Sequence, residues 1–410
     1  MRLFRYGLLA KRLVARGHRV TQWAGTLNHF VKKQRTTADA TIPFAPGYDL
    51  RLMHGPAFSR NVGFARLRYQ RAVSQSFRRQ AEAAPRPDLI VASLPTLGLA
   101  DEATRYGARW NTPVVVDVRD LWPDVFERVL PRFARPLAGT LLHRARGLCR
   151  RACGAATTLV SVSDDYLRWG LDRAERQRTP LDAVFPHGYE RPEFSAEQQS
   201  QAAAYWDDAG VADGPATRLC FFGSLGQSSA LEPFLHAMRS LRETGRTDIE
   251  LVVCGDGPKR DAYRRIAGEC GSIRWADWID QPKIVELMRR SHIGVAAYGA
   301  DAPQSLPNKP IEYLAGGLAV LSTLGESELQ SLLAEADCGE TMAAPTAEAI
   351  ARRFVAWADD PQRLAERRDN AARLFAERFE AATVYDAMAD HLERVHAHYD
   401  QTAIPLGVAA

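Results

Sequence analysis

Two residues of opposite charge, Lys309 and Glu312, lie three positions apart in the stretch LPNKPIEYLAGGLAVLST (306–323). The asparagine and proline on either side of the lysine are typical of a helix start, Gly316-Gly317 can end a short helix, and an apolar run follows at once. The pattern places an ammonium and a carboxylate where free backbone N–H groups attract anions. A first-turn carboxylate can also simply complement the helix dipole, so the surrounding sequence has to decide between binding and structure.

Side chains that could do chemistry also concentrate in DVRDLWPD (117–124). Two carboxylates, Asp117 and Asp120, an arginine, Arg119, and an indole, Trp122, follow directly after an apolar run. Charged residues at the end of a buried strand are hard to explain by packing and favour a functional site.

Two glycine-containing segments also follow apolar runs, FGSLG (222–226) and CGDGP (254–258). Glycines allow backbone N–H groups to approach a phosphate closely, although two glycines at a strand end often form only a tight turn. In a parallel α/β sheet such loops meet at the carboxyl edge, where ligands bind.

The elements that must position these residues follow an alternating pattern. Short apolar runs separated by helix-patterned segments predict a parallel α/β sheet in each half of the chain. The first half has them at 20–24, 89–93, 114–118, 158–162 and 183–186, and the second at 219–222, 249–254, 273–275, 293–296 and 318–321. The polar stretch 191–217 predicts a linker between two doubly wound domains, and residues 346–399 are helical in pattern.

Charge is distributed unevenly along the 410 residues. Residues 1–196 contain 32 Lys and Arg against 17 Asp and Glu, a net charge of +15, whereas residues 197–410 contain 21 against 32, a net charge of −11. Arginines interleaved with apolar residues at 66–80 and 132–160 can lie on an anionic lipid surface or form one solvated helix face. No nucleic-acid-binding motif accompanies this charge, so nucleic acid ranks last as a partner.

The sequence also argues against a membrane-spanning, a secreted or a metal-binding protein. No run of eighteen uncharged apolar residues is present, and the arginine-rich N-terminus is unlike a signal peptide, which predicts a cytoplasmic protein. Six scattered cysteines without a CxxC pair indicate reduced thiols. The ten histidines are scattered and the second half has no DxD at a strand end, so no metal is expected.

Three segments, in this order, resemble the donor half of the GT-B glycosyltransferases of retaining family 4: FFGSLGQSSALEPFLHAM, ELVVCGDGPKRDAY and SLPNKPIEYLAGGLAVLSTLGESEL. Within that family, VASLPTLGLA (91–100) and VVVDVRDLWPDVF (114–126) are similar to the subgroup that builds bacterial surface polysaccharides, including the WbuB-type amino-sugar transferases. The resemblance covers nearly the whole chain.

The resemblance implies two facing Rossmann-like doubly wound domains and a C-terminal helix that crosses back. Residues 1–196 would bind the acceptor, 197–380 the nucleotide sugar, and 381–410 would form the crossing helix and tail. Glu312 would hold the ribose hydroxyls and Lys309 the diphosphate. The remaining donor-binding residues would be Gly223, Ser224, Leu225, Gly226, Asp256, Gly257, Gln304 and Ser305.

Three departures from the family pattern affect these roles. Gln304 stands eight residues before Glu312, where the family often has a second glutamate. The loop 223–230 lacks the arginine and lysine that often meet the diphosphate, so Lys309 would carry more of that role. Arg119-Asp120 stands where many members have a histidine before the aspartate, which argues against a histidine-dependent mechanism and makes Arg119 a candidate ligand for acceptor or donor phosphates.

The implied reaction is transfer with retention, in which the departing diphosphate takes the proton of the acceptor hydroxyl. No metal or other cofactor would be needed. The catalytic residues would be Asp120, Arg119 and Lys309, with Asp120 orienting the acceptor. Asp117 and Trp122 would bind the acceptor, Trp122 by stacking on a sugar ring unless it is a core aromatic.

The resemblance implies a nucleotide-sugar donor, UDP-linked and of the N-acetylamino type in the WbuB-like subgroup. It implies as acceptor a polyprenyl-pyrophosphate-linked saccharide in O-antigen, capsule or exopolysaccharide synthesis. The protein would bind peripherally to the anionic inner face of the cytoplasmic membrane. Two alternatives remain open, a UDP-sugar epimerase of the same fold and a non-catalytic partner of a polysaccharide assembly complex.

The start of the chain carries a further expectation. Residues 1–16 have a helical pattern, and Gly17 is placed to end that helix before the run at 20–24. A doubly wound domain normally begins with a strand and a glycine-rich turn. Their absence from this sequence predicts a first domain without its first strand, through a misassigned start or a truncation.

Overall fold

The computed structural model describes residues 4–28, 32–59, 63–126, 138–226, 228–299, 302 and 305–402. By contacts the chain divides into two units, one of Met1–His187 with Val384–Ala410 and the other of Gly188–Thr383. The division falls at His187, slightly before the predicted linker. The polar stretch 191–217 is part of the second unit, because a helix within it buries Trp206.

Unit 1 alternates strands and helices as the apolar runs predict. Its helices are α1 (Arg5–Ala15), α2 (Phe64–Glu82), α3 (Leu97–Trp110), α4 (Ala138–Gly154) and α5 (Asp164–Ala174). Its strands are β1 (Val20–Gly25), β2 (Leu27–Asn28), β3 (Lys33–Gln34), β4 (Ala40–Ala45), β5 (Tyr48–Met53), β6 (Ile90–Ser93), β7 (Val114–Val118), β8 (Thr158–Ser161) and β9 (Ala183–Val184).

The described strands of unit 1 form two main sheets. One has the order β6-β7-β8-β9 and is entirely parallel, and the other has the order β1-β5-β4, with β4 antiparallel to β5. Within the described ranges no ladder joins β1 to β6. Every residue of β7 is buried, as expected for the interior strand of a parallel sheet covered on both faces.

Unit 2 contains one larger parallel sheet of six strands. Its helices are α6 (Ala196–Asp208), α7 (Glu232–Glu243), α8 (Arg260–Ala267), α9 (Gln281–Arg289), α10 (Asn308–Ala315), α11 (Glu328–Glu335), α12 (Ala347–Ala358) and α13 (Pro361–Arg378). Its strands are β10 (Thr217–Phe222), β11 (Ile249–Cys254), β12 (Ile273–Ala276), β13 (Ile293–Ala296), β14 (Ala319–Ser322) and β15 (Gly339–Thr341), in the order β12-β11-β10-β13-β14-β15.

Two apolar cores cover the two faces of this sheet. Helices α7, α8 and α12 pack on one face, and α6, α9, α10, α11 and α13 pack on the other. The strand order reverses at β10, between β11 and β13, which is the position where open α/β sheets bind ligands. The loops after β10, β11 and β13 therefore lie at the ligand-binding edge of unit 2.

The last helix, α14 (Ala381–Thr402), begins at the end of unit 2 and from Val384 onward is part of unit 1. Its acidic face pairs with the end of α1, where Arg16 lies 2.5 Å from Asp390 and His18 lies 2.9 Å from Glu393. Within the described part of the chain, no helix combines the length and apolar character needed to cross a bilayer.

Candidate active site

Helix α10 positions the Lys309 and Glu312 pair that the sequence singles out. The helix begins at Asn308, immediately after Pro307 in an extended conformation, and ends before Gly316. Its apolar residues Ile311 and Leu314 are buried against the sheet, which leaves Lys309 and Glu312 half-buried on the same side. The Lys309 ammonium lies 3.0 Å from the Glu312 carboxylate.

The same lysine reaches the loop after β10. Its Nζ lies 4.1 Å from the centre of the Phe222 ring, which is a favourable position for a cation. A Cβ placed on Gly223 would lie 3.7 Å from the Lys309 Cε, so the lysine stem runs beside the glycine backbone. The structure thus brings together Gly223, Lys309 and Glu312, which are far apart in the sequence.

The loops after β10 and β11 are packed backbone against backbone. The Gly223 N–H donates to the Cys254 carbonyl at 3.0 Å, and the Leu225 N–H to the Asp256 carbonyl at 2.9 Å. A Cβ on Gly255 would lie 1.9 Å from the Gly223 carbonyl oxygen, so only glycine fits there.

This packing changes the roles predicted for the first loop. Leu225 is fully buried and its N–H is already bonded, so it supports the loop instead of meeting a ligand. The N–H groups of Ser224 and Gly226 donate to no residue within the described ranges. Ser224 is exposed, and Asp256 is exposed with one oxygen accepting the Gly257 N–H at 2.8 Å.

One residue of this site was not assigned from the sequence. Tyr298 lies two residues after the end of β13, and the Thr323 hydroxyl accepts the Tyr298 N–H at 2.8 Å. Burial, with the nearby Glu312 carboxylate, raises the pKa of Tyr298, so its phenol stays protonated. Its position at the end of a buried strand is the signal that could have identified it.

The other two predicted donor residues have different outcomes. Ser305 is buried, and its hydroxyl accepts the Glu328 N–H at 3.0 Å, which secures the start of α11. Its side chain is therefore occupied in structure. Gln304 lies outside the described residues.

In unit 1, Asp117 at the end of β7 is buried and fully engaged. It accepts hydrogen bonds from the Arg5 guanidinium at 2.8 and 3.2 Å and from the Tyr6 hydroxyl at 2.8 Å. Arg5 also donates to the Phe185 carbonyl at 2.8 Å. Burial alone would lower the pKa of Arg5, but the Asp117 carboxylate raises it above its usual value. Direct acceptor binding was predicted for Asp117, whereas the structure makes it the anchor of α1.

Arg119 and His187 lie next to this pair. The Arg119 guanidinium is 5.1 Å from the centre of the Tyr6 ring. Burial, together with Arg5 and Arg119, lowers the pKa of His187 to about 3, so its imidazole is neutral at physiological pH. Its ring can therefore serve as a neutral hydrogen-bonding group but adds no positive charge to the two arginines.

Asp120 and Trp122 continue the same loop and share one neighbour, Arg66 of α2. Burial raises the pKa of Asp120, an effect that the Leu121 N–H, Arg66 and Arg119 partly offset. Trp122 is only 8% exposed, with the Arg66 guanidinium 4.0 Å from its ring centre and Phe126 edge-on at 4.4 Å. The indole of Trp122 is therefore packed against other side chains in this structure, as expected for the alternative in which it is a core aromatic.

Over the ranges that the structure describes, no group of three or more His, Cys, Asp or Glu side chains is arranged to hold a metal ion.

Each unit has the architecture of a Rossmann-like domain, and solved structures share the two-domain fold. Sucrose-phosphate synthase from Thermosynechococcus elongatus aligns with a TM-score of 0.66 and 14% identity, covering 95% of this chain and 92% of that one. HepE from Anabaena, in complex with UDP, aligns with a TM-score of 0.59 and 16% identity, covering 84% and 86%. WaaG, a glycosyltransferase of lipopolysaccharide biosynthesis, aligns with a TM-score of 0.60 and 16% identity, covering 94% of both chains. The fold is GT-B.

Two family models match the chain, one in each unit. Residues 5–182 match the "Glycosyl transferase 4-like domain" and residues 216–360 match "Glycosyl transferases group 1". No curated protein sequence gives a significant match. Together, the two family matches and the shared fold support a glycosyltransferase of the GT-B type.

Proposed function

We propose that this protein transfers a sugar from a UDP-sugar, such as a UDP-linked N-acetylamino sugar, to a lipid-linked saccharide, with retention at the anomeric carbon, in bacterial surface-polysaccharide synthesis. The observation that carries the proposal is the Lys309–Glu312 pair beside Gly223 at the strand-order reversal of unit 2. The UDP complexes of HepE support a uridine nucleotide. The WaaG match and the WbuB-type resemblance support a surface-polysaccharide role.

In the donor site, Glu312 accepts hydrogen bonds from the two ribose hydroxyls. Lys309 and the N–H groups of Ser224 and Gly226 hold the diphosphate. Because Lys309 pairs with Glu312 in the structure, its ammonium exchanges part of that contact for the phosphate oxygens when the donor binds. Asp256 contacts the nucleotide.

The leaving diphosphate accepts the proton of the acceptor hydroxyl, so the reaction needs neither a dedicated base nor a metal. Lys309 stabilises the negative charge that grows on the diphosphate as the glycosidic bond breaks. Asp120 orients the acceptor hydroxyl, and Arg119 binds an acceptor phosphate. Asp117 acts by holding this loop in place through Arg5.

The acceptor-binding unit is proposed to dock on the inner face of the cytoplasmic membrane. On α2, Leu67 is 54% exposed next to the exposed Arg68 and Arg71. An apolar side chain flanked by arginines suits the interface of an anionic bilayer. The second predicted arginine cluster, 132–160, is described only from residue 138 onward.

The experiment that tests the proposal measures donor consumption with and without acceptor. The purified protein is incubated with a panel of UDP-sugars, in the presence and absence of membrane-extracted polyprenyl-pyrophosphate-linked saccharides. We expect release of UDP to require the acceptor and the product to keep the anomeric configuration of the donor. Conversion of donor without acceptor would identify an epimerase, and failure to bind any nucleotide sugar would favour a non-catalytic partner.

A further inference from the structure

The backbone carbonyl of Ser229, in the loop between β10 and α7, accepts hydrogen bonds from two side chains of another element. The Lys259 ammonium donates to its oxygen at 2.7 Å and the Tyr263 hydroxyl at 2.8 Å. Lys259 immediately precedes α8, and Tyr263 lies one turn further along that helix and is buried. A carbonyl oxygen has two lone pairs, so both are in use. The two side chains therefore fix one peptide group of the loop.

The same two residues hold the loop at further points. The Lys259 backbone N–H donates to the Leu225 carbonyl at 3.0 Å, and the Tyr263 hydroxyl oxygen accepts the Leu231 N–H at 3.4 Å. A Cβ on Gly257, just before α8, would lie 2.6 Å from the Leu225 carbonyl oxygen, so the two segments pack backbone against backbone. The start of α8 thus contacts the loop on both sides of Ser229.

Ser229 is joined directly to the candidate donor site. Its N–H donates to the Gly226 carbonyl at 3.1 Å, which closes a turn back onto a residue whose own N–H donates to no residue in the described ranges. Ser229 also forms an antiparallel bridge with Tyr298, in the loop after β13. The loops after β10, β11 and β13 therefore meet at this one residue.

The loop itself brings no cation to the site. Residues 223–230 contain neither lysine nor arginine, whereas Lys259 approaches the loop from the start of α8. Its side chain is 27% exposed, and its ammonium lies 3.4 Å from the Glu232 carboxylate, further away than the Ser229 carbonyl. Because Glu232 balances its charge and its shortest bond is to backbone, this lysine is placed to hold the loop.

We propose that Lys259, together with Tyr263, is a positioning residue for the loop that binds the donor diphosphate, an inference that rests on the proposed function. By fixing the Ser229 carbonyl, the two side chains fix the turn to Gly226 and with it the direction of the Gly226 N–H. A loop that is already ordered binds an anion without the entropic cost of ordering it on binding. Lys259 acts through the loop backbone and leaves direct contact with the phosphates to Lys309 and the N–H groups.

The test compares two ligands that differ only in the diphosphate. UDP and uridine share the base and the ribose, and only UDP carries the group that the loop binds. Titration calorimetry measures the affinity of both ligands for the wild type, Lys259→Met, Lys259→Arg and Tyr263→Phe. Lys283→Met on α9 is the matched control. The Lys283 side chain is 29% exposed and its ammonium lies 3.4 Å from the Asp280 carboxylate, but in the described ranges it bonds to no backbone carbonyl.

We expect Lys259→Met to weaken UDP binding about tenfold, the scale of one charged hydrogen bond, and to leave uridine binding unchanged. Tyr263→Phe removes a hydroxyl and no charge, and it should show the same selective loss on a smaller scale. Lys259→Arg should keep most of the affinity, because a guanidinium can also donate to the Ser229 carbonyl. Lys283→Met should bind both ligands like the wild type.

Three results would overturn the positioning role. A loss of UDP affinity in Lys259→Met with none in Tyr263→Phe would indicate that the ammonium contacts the diphosphate directly. An equal loss for UDP and uridine would indicate general damage to the structure. Unchanged UDP affinity in Lys259→Met, with binding still weakened in Glu312→Gln, would refute the role and leave the proposed function standing. A wild type that binds no nucleoside diphosphate would overturn the proposed function itself.

Discussion

The Glu312 carboxylate lies 3.0 Å from the Lys309 ammonium, one turn along α10, so each charge of the candidate donor site neutralises the other. A bound nucleotide diphosphate can use both groups at once, since the carboxylate accepts hydroxyl hydrogens and the ammonium attracts phosphate oxygens. The pair is therefore chemically suited to a ligand with hydroxyls at one end and negative charge at the other.

The first prediction concerns the carboxylate. Glu312→Gln should weaken nucleotide-sugar binding by roughly 1–3 kcal/mol, because charge-assisted hydrogen bonds to the ribose are lost. The melting temperature should stay close to that of the wild type. Titration calorimetry with UDP measures the effect, and Glu348→Gln, an exposed first-turn glutamate of α12, is the control. Equal UDP affinities in wild type and Glu312→Gln would reduce Glu312 to a dipole-compensating residue.

The second prediction concerns the lysine. Lys309→Ala should lower kcat on the order of a hundredfold with a smaller change in donor affinity, since charge on the diphosphate grows as the bond breaks. Steady-state kinetics with saturating acceptor separate kcat from KM. Lys11→Ala, an exposed lysine of α1, should leave both unchanged. A kcat equal to that of the wild type would argue against a transition-state role for Lys309.

The third prediction tests the buried pair that anchors α1. Arg5→Met removes the cation beside Asp117 and leaves a buried carboxylate with Tyr6, which should destabilise unit 1 by about 3–5 kcal/mol. Adding Asp117→Asn should restore part of the loss. Urea denaturation measures it, and Arg352→Met, which breaks the exposed pair with Glu348, should cost less than about 1 kcal/mol. A loss as small as that of the control would mean that water reaches Asp117.

The fourth prediction follows from His187, whose pKa in the folded protein is about 3. The unfolded value is about 6.5, so the folded state prefers the neutral ring. This contribution to stability is complete above about pH 6.5 and is lost as the pH falls towards 3. Between pH 7 and pH 5 the free energy of unfolding of the wild type should fall by on the order of 1–2 kcal/mol more than that of His187→Gln. His236 of α7 is exposed, so His236→Gln should show the same dependence of stability on pH as the wild type. If the stability of the wild type and of His187→Gln changed in parallel with pH, the role of His187 would be disproved.

The fifth prediction concerns the membrane surface. Co-sedimentation with vesicles should require anionic lipid and weaken as salt is raised, because screened arginines lose their attraction. Arg68→Glu with Arg71→Glu on α2 should reduce binding, and Arg239→Glu with Arg352→Glu on unit 2 should not. Equal binding to neutral vesicles, or none to anionic ones, would rule out this docking mode.

Much of the fold could be predicted because parallel strands buried on both faces appear as continuous apolar runs. Strand β7 at 114–118 and β11 at 249–254 have the predicted bounds, and α10 occupies the predicted helix in 306–323. The hairpin of β4 and β5 was not predicted. Most of β4 is exposed, so it has no apolar run, although the proline and glycine of its turn were a usable signal.

Contacts within the candidate site could be predicted between residues close in sequence. Contacts between residues far apart in sequence could not. Lys309 and Glu312 share one helical turn, so their proximity follows from spacing. Asp117 was predicted to bind the acceptor from its position at the end of a strand and from the family resemblance. Its pairing with Arg5, 112 residues away, depends on the topology and could not be read from the sequence. The contact between Arg66 and the Trp122 ring could not be predicted either, because α2 and the loop after β7 are distant in sequence and meet only in the folded structure.

The arrangement of unit 1 has a consequence for the order in which the chain matures. Arg16 and His18 at the end of α1 pair with Asp390 and Glu393 of α14, 374 and 375 residues later. A ribosome releases the chain from its N-terminus, so all of unit 2 emerges before α14 does. The nascent protein can therefore finish the six-stranded sheet of unit 2 while the first helix still lacks its acidic partners. The unit that is synthesised first is the one that is completed last.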